Sequence, residues 1–184
     1  MTLCPKCGRE LKVKTVTYPT PYFGEILLTS LTCECGFKYA NTLILGFNYP
    51  VRFTIKINKE TLYTKVVRST SCTIRIPEIQ TSIEPGPASQ AFITNLEGIL
   101  RRVEDAVRMA MRWHSHDIKK VERCKQILEK INRTIEGNEE LTLILEDPLG
   151  NSAIISDQAF KERMSEDEIR ELKTGMYELD VLRI

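Results

Sequence analysis

Four cysteines near the start of the chain have the residue type and the spacing of a metal site. They form two short pairs, each followed by glycine: Cys4-Pro5-Lys6-Cys7-Gly8 and Cys33-Glu34-Cys35-Gly36. Zinc binds four thiolates in a tetrahedron, and two cysteine pairs on opposing tight turns supply all of them. The glycines can adopt a positive φ, which lets the backbone turn toward the sulfur atoms. The pattern predicts a zinc ribbon with one zinc ion held by Cys4, Cys7, Cys33 and Cys35.

The expected role of this zinc is structural. Four thiolates fill the tetrahedron, whereas a catalytic zinc keeps a position open for water or substrate. The second pair is Cys-x-Cys, a tighter spacing than the usual Cys-x-x-Cys. No signal peptide precedes the cysteines, so we expect a reducing, cytoplasmic location in which such pairs bind metal and do not form disulfides.

The remaining residues that could bind a metal or take part in catalysis form weaker patterns. His114 and His116 are the only histidines, and without a third histidine or a nearby carboxylate we expect an exposed helix corner and not a metal site. Cys72 and Cys124 are predicted to be small buried side chains. The chain shows no phosphate-binding glycine loop and no nucleophile beside a base, so we expect that it is not an enzyme.

Composition and charge are those of an ordinary globular protein. The 184 residues are 42% hydrophobic and 28% charged, with a net charge of +1. No apolar run approaches the roughly 20 residues that span a bilayer. Residues 1–45 carry five basic and three acidic side chains, and a zinc with four thiolates adds about two negative charges. Because a ribbon that follows a nucleic-acid backbone should be clearly positive, nucleic-acid binding is the weaker alternative.

Two strands of the predicted ribbon flank an aromatic loop. Residues 10–17 alternate apolar and polar side chains, and residues 25–32 are the expected partner strand. Between them, residues 18–24 contain two prolines, which argue against regular strand pairing. The loop also contains Tyr18, Tyr22 and Phe23. These rings either pack against the protein itself or form a partner-binding tip.

The next stretch is predicted to form β-strands. The expected strands are residues 43–47, 51–58, 61–67 and 71–79, with a hairpin turn at residues 58–60. The alternation of Val51, Phe53, Ile55 and Ile57 is that of one buried sheet face. Residues 84–89 contain two prolines and a glycine, which predict a rigid loop and a second candidate docking segment.

A helical hairpin and returning strands follow. The first helix has an apolar stripe from Leu96 to Met111 and a capping box of Thr94 with Glu97; the second runs from about Asp117 to Glu136, with Gly137 as its C-cap. Side chains expected to point inward from the second helix are Ile118, Val121, Leu128 and Ile131. Strands are predicted at residues 141–145 and 152–156, then a short helix capped by Ser165 and Glu168 that ends at about Lys173 before Gly175, then a strand at residues 176–182.

Strand patterns on both sides of the helices predict one β-domain with an inserted hairpin. The expected fold class is mainly β with inserted helices (α+β). The expected domains are a zinc ribbon at residues 1–42 and a β-domain at residues 43–184, with the helical hairpin at about residues 90–136.

Several motifs along the chain belong together. They are the two cysteine pairs, Pro21-Tyr22-Phe23-Gly24-Glu25, Arg75-Ile76-Pro77-Glu78-Ile79, Leu96-Glu97-Gly98 and Asp147-Pro148-Leu149-Gly150-Asn151-Ser152. With these motifs the chain resembles the ZPR-type zinc-finger proteins, in the single-module form found in archaea, nearly end to end, to about residue 156. The resemblance implies a four-cysteine ribbon followed by a double-stranded β-helix with an inserted helical hairpin, in agreement with the strand and helix patterns.

The resemblance also implies a partner. Eukaryotic members of the family carry two such modules, bind translation elongation factor 1-alpha and resemble a dedicated folding chaperone for that GTPase. We therefore expect a protein-interaction module that binds elongation factor 1-alpha, during its folding or in its GDP-bound state. The alternative is a nucleic-acid-binding zinc ribbon of transcription or translation. A metal-dependent enzyme of the double-stranded β-helix type would need histidines on inward-facing strands, which this sequence does not have.

Overall fold

The computed structural model describes residues 2–21, 23–46, 48–86 and 89–172. The chain divides into two compact units, Met1–Asn48 and Tyr49–Ile184. None of the helices in these described ranges is long and apolar enough to cross a lipid bilayer.

The N-terminal unit is a three-stranded antiparallel sheet with strand order β1-β2-β3. Its strands are β1 (Lys12–Thr20), β2 (Gly24–Thr32) and β3 (Lys38–Ile44). β1 continues through Tyr18 and Pro19 to Thr20, so the prediction that residues 18–20 belong to a loop was wrong. Because β1 is an edge strand, a proline costs it little pairing. β2 then begins at Gly24, which has a φ of +64°.

The third strand of this sheet also differs from the prediction. A strand was predicted at residues 43–47, as the first of the β-domain. β3 instead begins at Lys38 and pairs with β2 along its length, with Leu43 opposite Leu27. The turn that holds the second cysteine pair brings the chain back against β2 and so starts the strand earlier. Phe47 lies outside the described residues.

The second unit contains two antiparallel sheets. The strand orders are β11-β4-β9-β6-β7 and β10-β5-β8. The strands are β4 (Val51–Ile57), β5 (Lys65–Arg68), β6 (Thr73–Ile76), β7 (Thr81–Ile83), β8 (Phe92–Asn95), β9 (Leu141–Asp147), β10 (Ala153–Ile155) and β11 (Phe160–Arg163). One hydrophobic core cluster includes residues of both sheets and of the helices.

The turn predicted at residues 58–60 exists but does not make a hairpin. The Asn58 carboxamide oxygen accepts hydrogen bonds from the backbone N–H groups of Glu60 and Thr61, each at 3.1 Å. The chain then enters β5, which lies in the other sheet, and not the expected strand beginning at residue 61. The strand predicted at residues 71–79 is shorter as well, because Pro77 begins a 3₁₀ turn, Pro77–Ile79. Strands β7, β8 and β11 were not predicted.

The inserted helical hairpin is confirmed. It consists of α1 (Leu96–Trp113) and α2 (Ile118–Ile135). The cap of α1 is Asn95 and not Thr94, since the Asn95 side chain accepts the Gly98 N–H at 2.8 Å. Gly137 ends α2 as predicted, with a φ of +81°. Ile118 was predicted to point inward but is 84% exposed, because burial in α2 is concentrated toward its C-terminal half.

The predicted return of residues 141–156 to the sheets formed before the helical hairpin is also confirmed. β9 lies between β4 and β6, and β10 pairs with β5. Leu141, Leu143 and Leu145 on β9 are fully buried. The predicted capping box of Ser165 and Glu168 begins a short helix, α3 (Glu166–Arg170). Lys173, Gly175 and the strand predicted at residues 176–182 lie outside the described residues.

Candidate metal centre and the apolar face of the ribbon

The first cysteine pair lies on a tight turn held by backbone hydrogen bonds. The Gly8 N–H donates to the Cys4 carbonyl at 2.8 Å, and the Cys4 N–H donates to the Arg9 carbonyl at 2.7 Å. Gly8 has a φ of +71°, in the left-handed region that glycine adopts without strain. This local geometry turns the Cys4 and Cys7 side chains to the same side.

The second pair uses the same construction between β2 and β3. The Gly36 N–H donates to the Cys33 carbonyl at 3.0 Å, and the Cys33 N–H donates to the Phe37 carbonyl at 2.9 Å. Gly36 has a φ of +85°. The glycine after each cysteine pair therefore has the role that the sequence predicted for it.

The four sulfur atoms come together in one cluster. Cys4 Sγ lies 3.6 Å from Cys35 Sγ, and Cys7 Sγ lies 3.5 Å from Cys33 Sγ. All four atoms lie within 4.8 Å of one another. A tetrahedron with zinc–sulfur bonds of about 2.3 Å has sulfur–sulfur edges of about 3.8 Å. The donor set and its dimensions therefore fit a four-coordinate thiophilic metal ion.

The electrostatics of the cluster differ from one thiol to another. The pKa of Cys7 is lowered to about 6, first by the Arg9 backbone N–H and then by the Arg9 side chain. The pKa of Cys33 is raised to about 11: the Cys35 backbone N–H lowers it, but desolvation and hydrogen bonds shared with the thiols of Cys35, Cys7 and Cys4 outweigh that effect. Because metals bind the thiolate, the Cys7 thiol is a more readily available ligand than the Cys33 thiol.

Arg9 was not singled out from the sequence. Its guanidinium supports the Cys7 thiolate and also lies 3.3 Å from a Glu34 carboxylate oxygen, so it links the two cysteine turns. The signal that could have identified it is its position directly after Cys-x-x-Cys-Gly, within reach of the sulfur atoms.

The other candidate residues do not form a site. His114, Ser115 and His116 are exposed at the corner between α1 and α2, as predicted. Over the described ranges, the ribbon cysteines form the one group of three or more potential metal ligands. Cys72 is fully buried, and burial raises the pKa of its thiol, whereas Cys124 is only half-buried.

The aromatic residues predicted to bind a partner have different environments. Tyr18 is 59% exposed and lies on β1. Phe23 is half-buried in the turn, where its backbone N–H donates to the Thr20 hydroxyl at 3.1 Å. Tyr22 lies outside the described residues.

Tyr18 belongs to an exposed apolar surface that runs across the ribbon sheet. Val16 pairs with Leu28 and Tyr18 pairs with Ile26, so the four side chains share one face of β1 and β2. Val16 is 60% exposed and Leu28 is 41% exposed. We call Val16, Tyr18 and Leu28 the apolar ribbon face. The sequence placed its aromatic member in a loop, because strand pairing beyond Thr17 was not expected.

Two family models match the chain. The ZPR1 zinc-finger domain matches residues 1–43, and the ZPR1 jelly-roll domain matches residues 60–176. Jelly roll is another name for the double-stranded β-helix, so the predicted fold class, a four-cysteine ribbon followed by this β-domain, is confirmed.

Similar proteins occur in archaea and eukaryotes. The chain is 38% identical over 182 residues to an uncharacterized ZPR1-like protein of Methanocaldococcus jannaschii, covering 97% of this chain and 91% of the relative. It is 36% identical over 180 residues to another from Pyrococcus horikoshii, covering 95% and 81%. A zinc finger chaperone of Schizosaccharomyces pombe is 32% identical over 159 residues, which are 83% of this chain but 34% of that protein. The chain therefore belongs to the ZPR1 family of zinc-finger proteins.

Proposed function

We propose that this protein is a cytoplasmic protein-interaction module that binds translation elongation factor 1-alpha, assisting its folding or binding its GDP-bound form. It has no catalytic centre. One zinc ion, bound by Cys4, Cys7, Cys33 and Cys35, stabilises the ribbon that presents the binding surface. The observation that carries the proposal is the apolar ribbon face on β1 and β2.

The metal centre supports a structural role for zinc. Its four sulfur atoms provide a complete tetrahedral set of ligands. Cys4 is buried, and both cysteine turns are closed by backbone hydrogen bonds, so a bound ion would join β2 and β3 to the N-terminal turn. Metal binding and folding of such small units are usually coupled.

The apolar ribbon face supports protein binding. Val16, Tyr18 and Leu28 are adjacent on two paired strands and remain exposed. Contiguous exposed apolar side chains on a soluble protein often mark an interaction surface, and aromatic anchors frequently contribute most of the binding free energy. A chaperone needs such a surface to hold apolar segments of its client.

The identity of the partner rests on family membership. The resemblance to the family implies elongation factor 1-alpha as the partner, and the relative in Schizosaccharomyces pombe is named a zinc finger chaperone. This chain spans about a third of that protein's length. We propose that one ribbon and one jelly-roll domain are enough to bind this partner.

A nucleic-acid-binding zinc ribbon is the second candidate. Lys12 and Lys14 on the exposed edge strand β1 would be its first phosphate contacts. The near balance of basic and acidic side chains in residues 1–45 makes this function weaker than protein binding.

Calorimetry of the full chain against purified elongation factor 1-alpha, nucleotide-free and GDP-bound, tests the proposal. We expect binding in at least one state. Tyr18→Ala should weaken it by about 2 kcal/mol, or roughly 30-fold, if Tyr18 is an anchor. Tyr39→Ala is the matched control, because Tyr39 is 51% exposed but lies on the opposite face of the same sheet.

Two results would contradict the proposal. One is no detectable heat of binding in any nucleotide state, together with no increase in soluble elongation factor when the two proteins are co-expressed. The other is equal weakening by Tyr18→Ala and Tyr39→Ala, which would remove the apolar ribbon face as the binding surface. Salt-sensitive binding to single-stranded or duplex nucleic acid would then favour the second candidate.

A further inference from the structure

A pocket of about 410 Å³ lies in the β-domain, beside the loop that precedes β8. Its walls include Arg68, Glu84, Ser89, Gln90, Phe92 and Arg102. Arg68 is the last residue of β5 and is the register partner of Phe92, the first residue of β8. Arg102 comes from α1. Three separate elements thus bring two arginines to one concave site.

Arg68 is a buried cation with neutral hydrogen-bond partners. The residue is 4% exposed. Its guanidinium donates to the Ser89 hydroxyl at 3.0 Å, to the Gln90 carbonyl at 3.4 Å and to the Cys72 carbonyl at 2.9 Å. Its Nε is buried and has no hydrogen-bond acceptor among the described residues. Burial lowers the pKa of Arg68, but a guanidinium stays protonated, so a positive charge is kept in the pocket wall.

Burying a charge is costly unless an opposite charge compensates it. The carboxylate that acts most on Arg68 is that of Asp147. Asp147 accepts hydrogen bonds from the hydroxyls of Ser69, Ser71 and Ser152 and from the backbone N–H groups of Leu149 and Asn151. The pocket wall therefore contains a buried cation to which no carboxylate of the described residues is hydrogen-bonded.

Arg102 adds a second charge at the same place. Its guanidinium lies 4.3 Å from the centre of the Phe92 ring, and that of Arg68 lies 5.5 Å from it. The Arg102 guanidinium is close enough to contribute to lowering the pKa of Arg68, after the larger effect of burial. Arg101 and Arg108, which also lie on α1, form ion pairs with Glu104. Arg102 takes part in none of the ion pairs formed by the described residues.

The two guanidinium groups give the pocket two positive charges and favour an anion. The partner in the proposed function is a polypeptide, and the anionic groups of its side chains are carboxylates. Guanidinium groups bind carboxylates through paired N–H···O bonds. The volume is within the range of pockets that hold a side chain with part of its flanking backbone.

We propose that this pocket binds the carboxylate of an acidic side chain on a partner polypeptide. Arg102 contacts the carboxylate, the buried charge of Arg68 attracts it from behind, and Phe92 packs against the aliphatic part of the same side chain. The inference rests on the proposed function for the source of that polypeptide and adds a charged contact in the β-domain to the apolar contact of the ribbon.

Peptide titration followed by NMR of the full chain tests the pocket without elongation factor, so its failure is distinct from failure of the proposed function. The probe is acetyl-Ala-Glu-Ala-amide, with the glutamine peptide, acetate and inorganic phosphate as comparisons. We expect saturable shifts of the Ser89, Gln90 and Phe92 amides, with a Kd on the order of 1 mM for the glutamate peptide. Arg102→Gln should weaken binding at least about threefold.

Arg112→Gln is the matched control, because Arg112 is an exposed arginine further along α1 that does not line the pocket. The Arg112→Gln variant should bind the glutamate peptide as tightly as the unaltered chain does. Equal binding of the glutamine peptide or of acetate, tighter binding of phosphate, or no saturable shift at these three amides would each overturn the proposal. An equal loss in the Arg102→Gln and Arg112→Gln variants would overturn it as well.

Discussion

The Ser69 hydroxyl donates a 2.8 Å hydrogen bond to the carboxylate of Asp147, 78 residues later in the chain. The same carboxylate accepts from the hydroxyls of Ser71 at 2.7 Å and Ser152 at 2.6 Å. It also accepts from the backbone N–H groups of Leu149 and Asn151. Asp147 is fully buried. This one side chain therefore joins the turn between β5 and β6 to the turn between β9 and β10.

We expect Asp147→Ala to lower the free energy of unfolding by about 3 kcal/mol, because it leaves several buried donors without acceptors. Urea unfolding followed by circular dichroism measures this change. Asp157→Ala is the control, since Asp157 is exposed, and should change stability by less than about 0.5 kcal/mol. Similar stabilities for the two variants would show that the carboxylate of Asp147 does not hold the turns together.

Cys33→Ser should remove the metal from the ribbon. Replacing one of four ligands breaks the tetrahedral set, so zinc content should fall well below about one ion per chain, and amides in residues 1–45 should lose protection from hydrogen exchange. Metal analysis by mass spectrometry and exchange measurements test this. Cys124→Ser is the control because Cys124 lies outside the cluster. A variant that lacks both cysteine pairs and still binds about one zinc would refute the assignment.

Deleting residues 138–184 should unfold the whole β-domain. The deletion removes β9, which lies between β4 and β6 and contributes three fully buried leucines to the core. We therefore expect the fragment of residues 1–137 to lack a cooperative thermal transition of the β-domain. The fragment of residues 1–172 is the control, since it retains every described strand and helix, and should melt cooperatively. Cooperative melting of the shorter fragment would mean that β9 is dispensable.

The Glu168 carboxyl should titrate at unusually low pH. Its pKa is lowered from 4.5 to about 2, first by the Ser165 backbone N–H, then by the Ser165 hydroxyl and the Arg52 guanidinium. Since the pKa is lower in the folded protein than in the unfolded chain, this contribution to stability is present above about pH 4.5 and is lost as the pH falls toward 2.

NMR titration of the Glu168 side-chain carbonyl measures this pKa directly. Ser165→Ala and Arg52→Gln should each move it part of the way back to 4.5, because each removes one of its partners. A pKa of about 4.5 for Glu168 in the unaltered chain would contradict the capping-box geometry.

Interactions within a few residues could be determined from the sequence alone. The two cysteine turns with their glycines, the apolar stripe of α1, the left-handed Gly137 and the capping box of Ser165 all depend on neighbours close in the chain. For that reason the zinc ligands, the inserted hairpin and the family could be predicted without knowing how the strands pair.

Only the tertiary structure decided how distant segments pair. Whether β5 continues a hairpin with β4 or crosses to the other sheet depends on β8 and β10, which the local pattern does not contain. Pairing with β2 likewise extended β1 through Pro19 and placed Tyr18 on a strand beside Val16. The pocket of Arg68, Phe92 and Arg102 has the same origin, because strand register and the packing of α1 brought its residues together. Such contacts depend on pairing and burial across long stretches of chain, so no local pattern of residues specifies them.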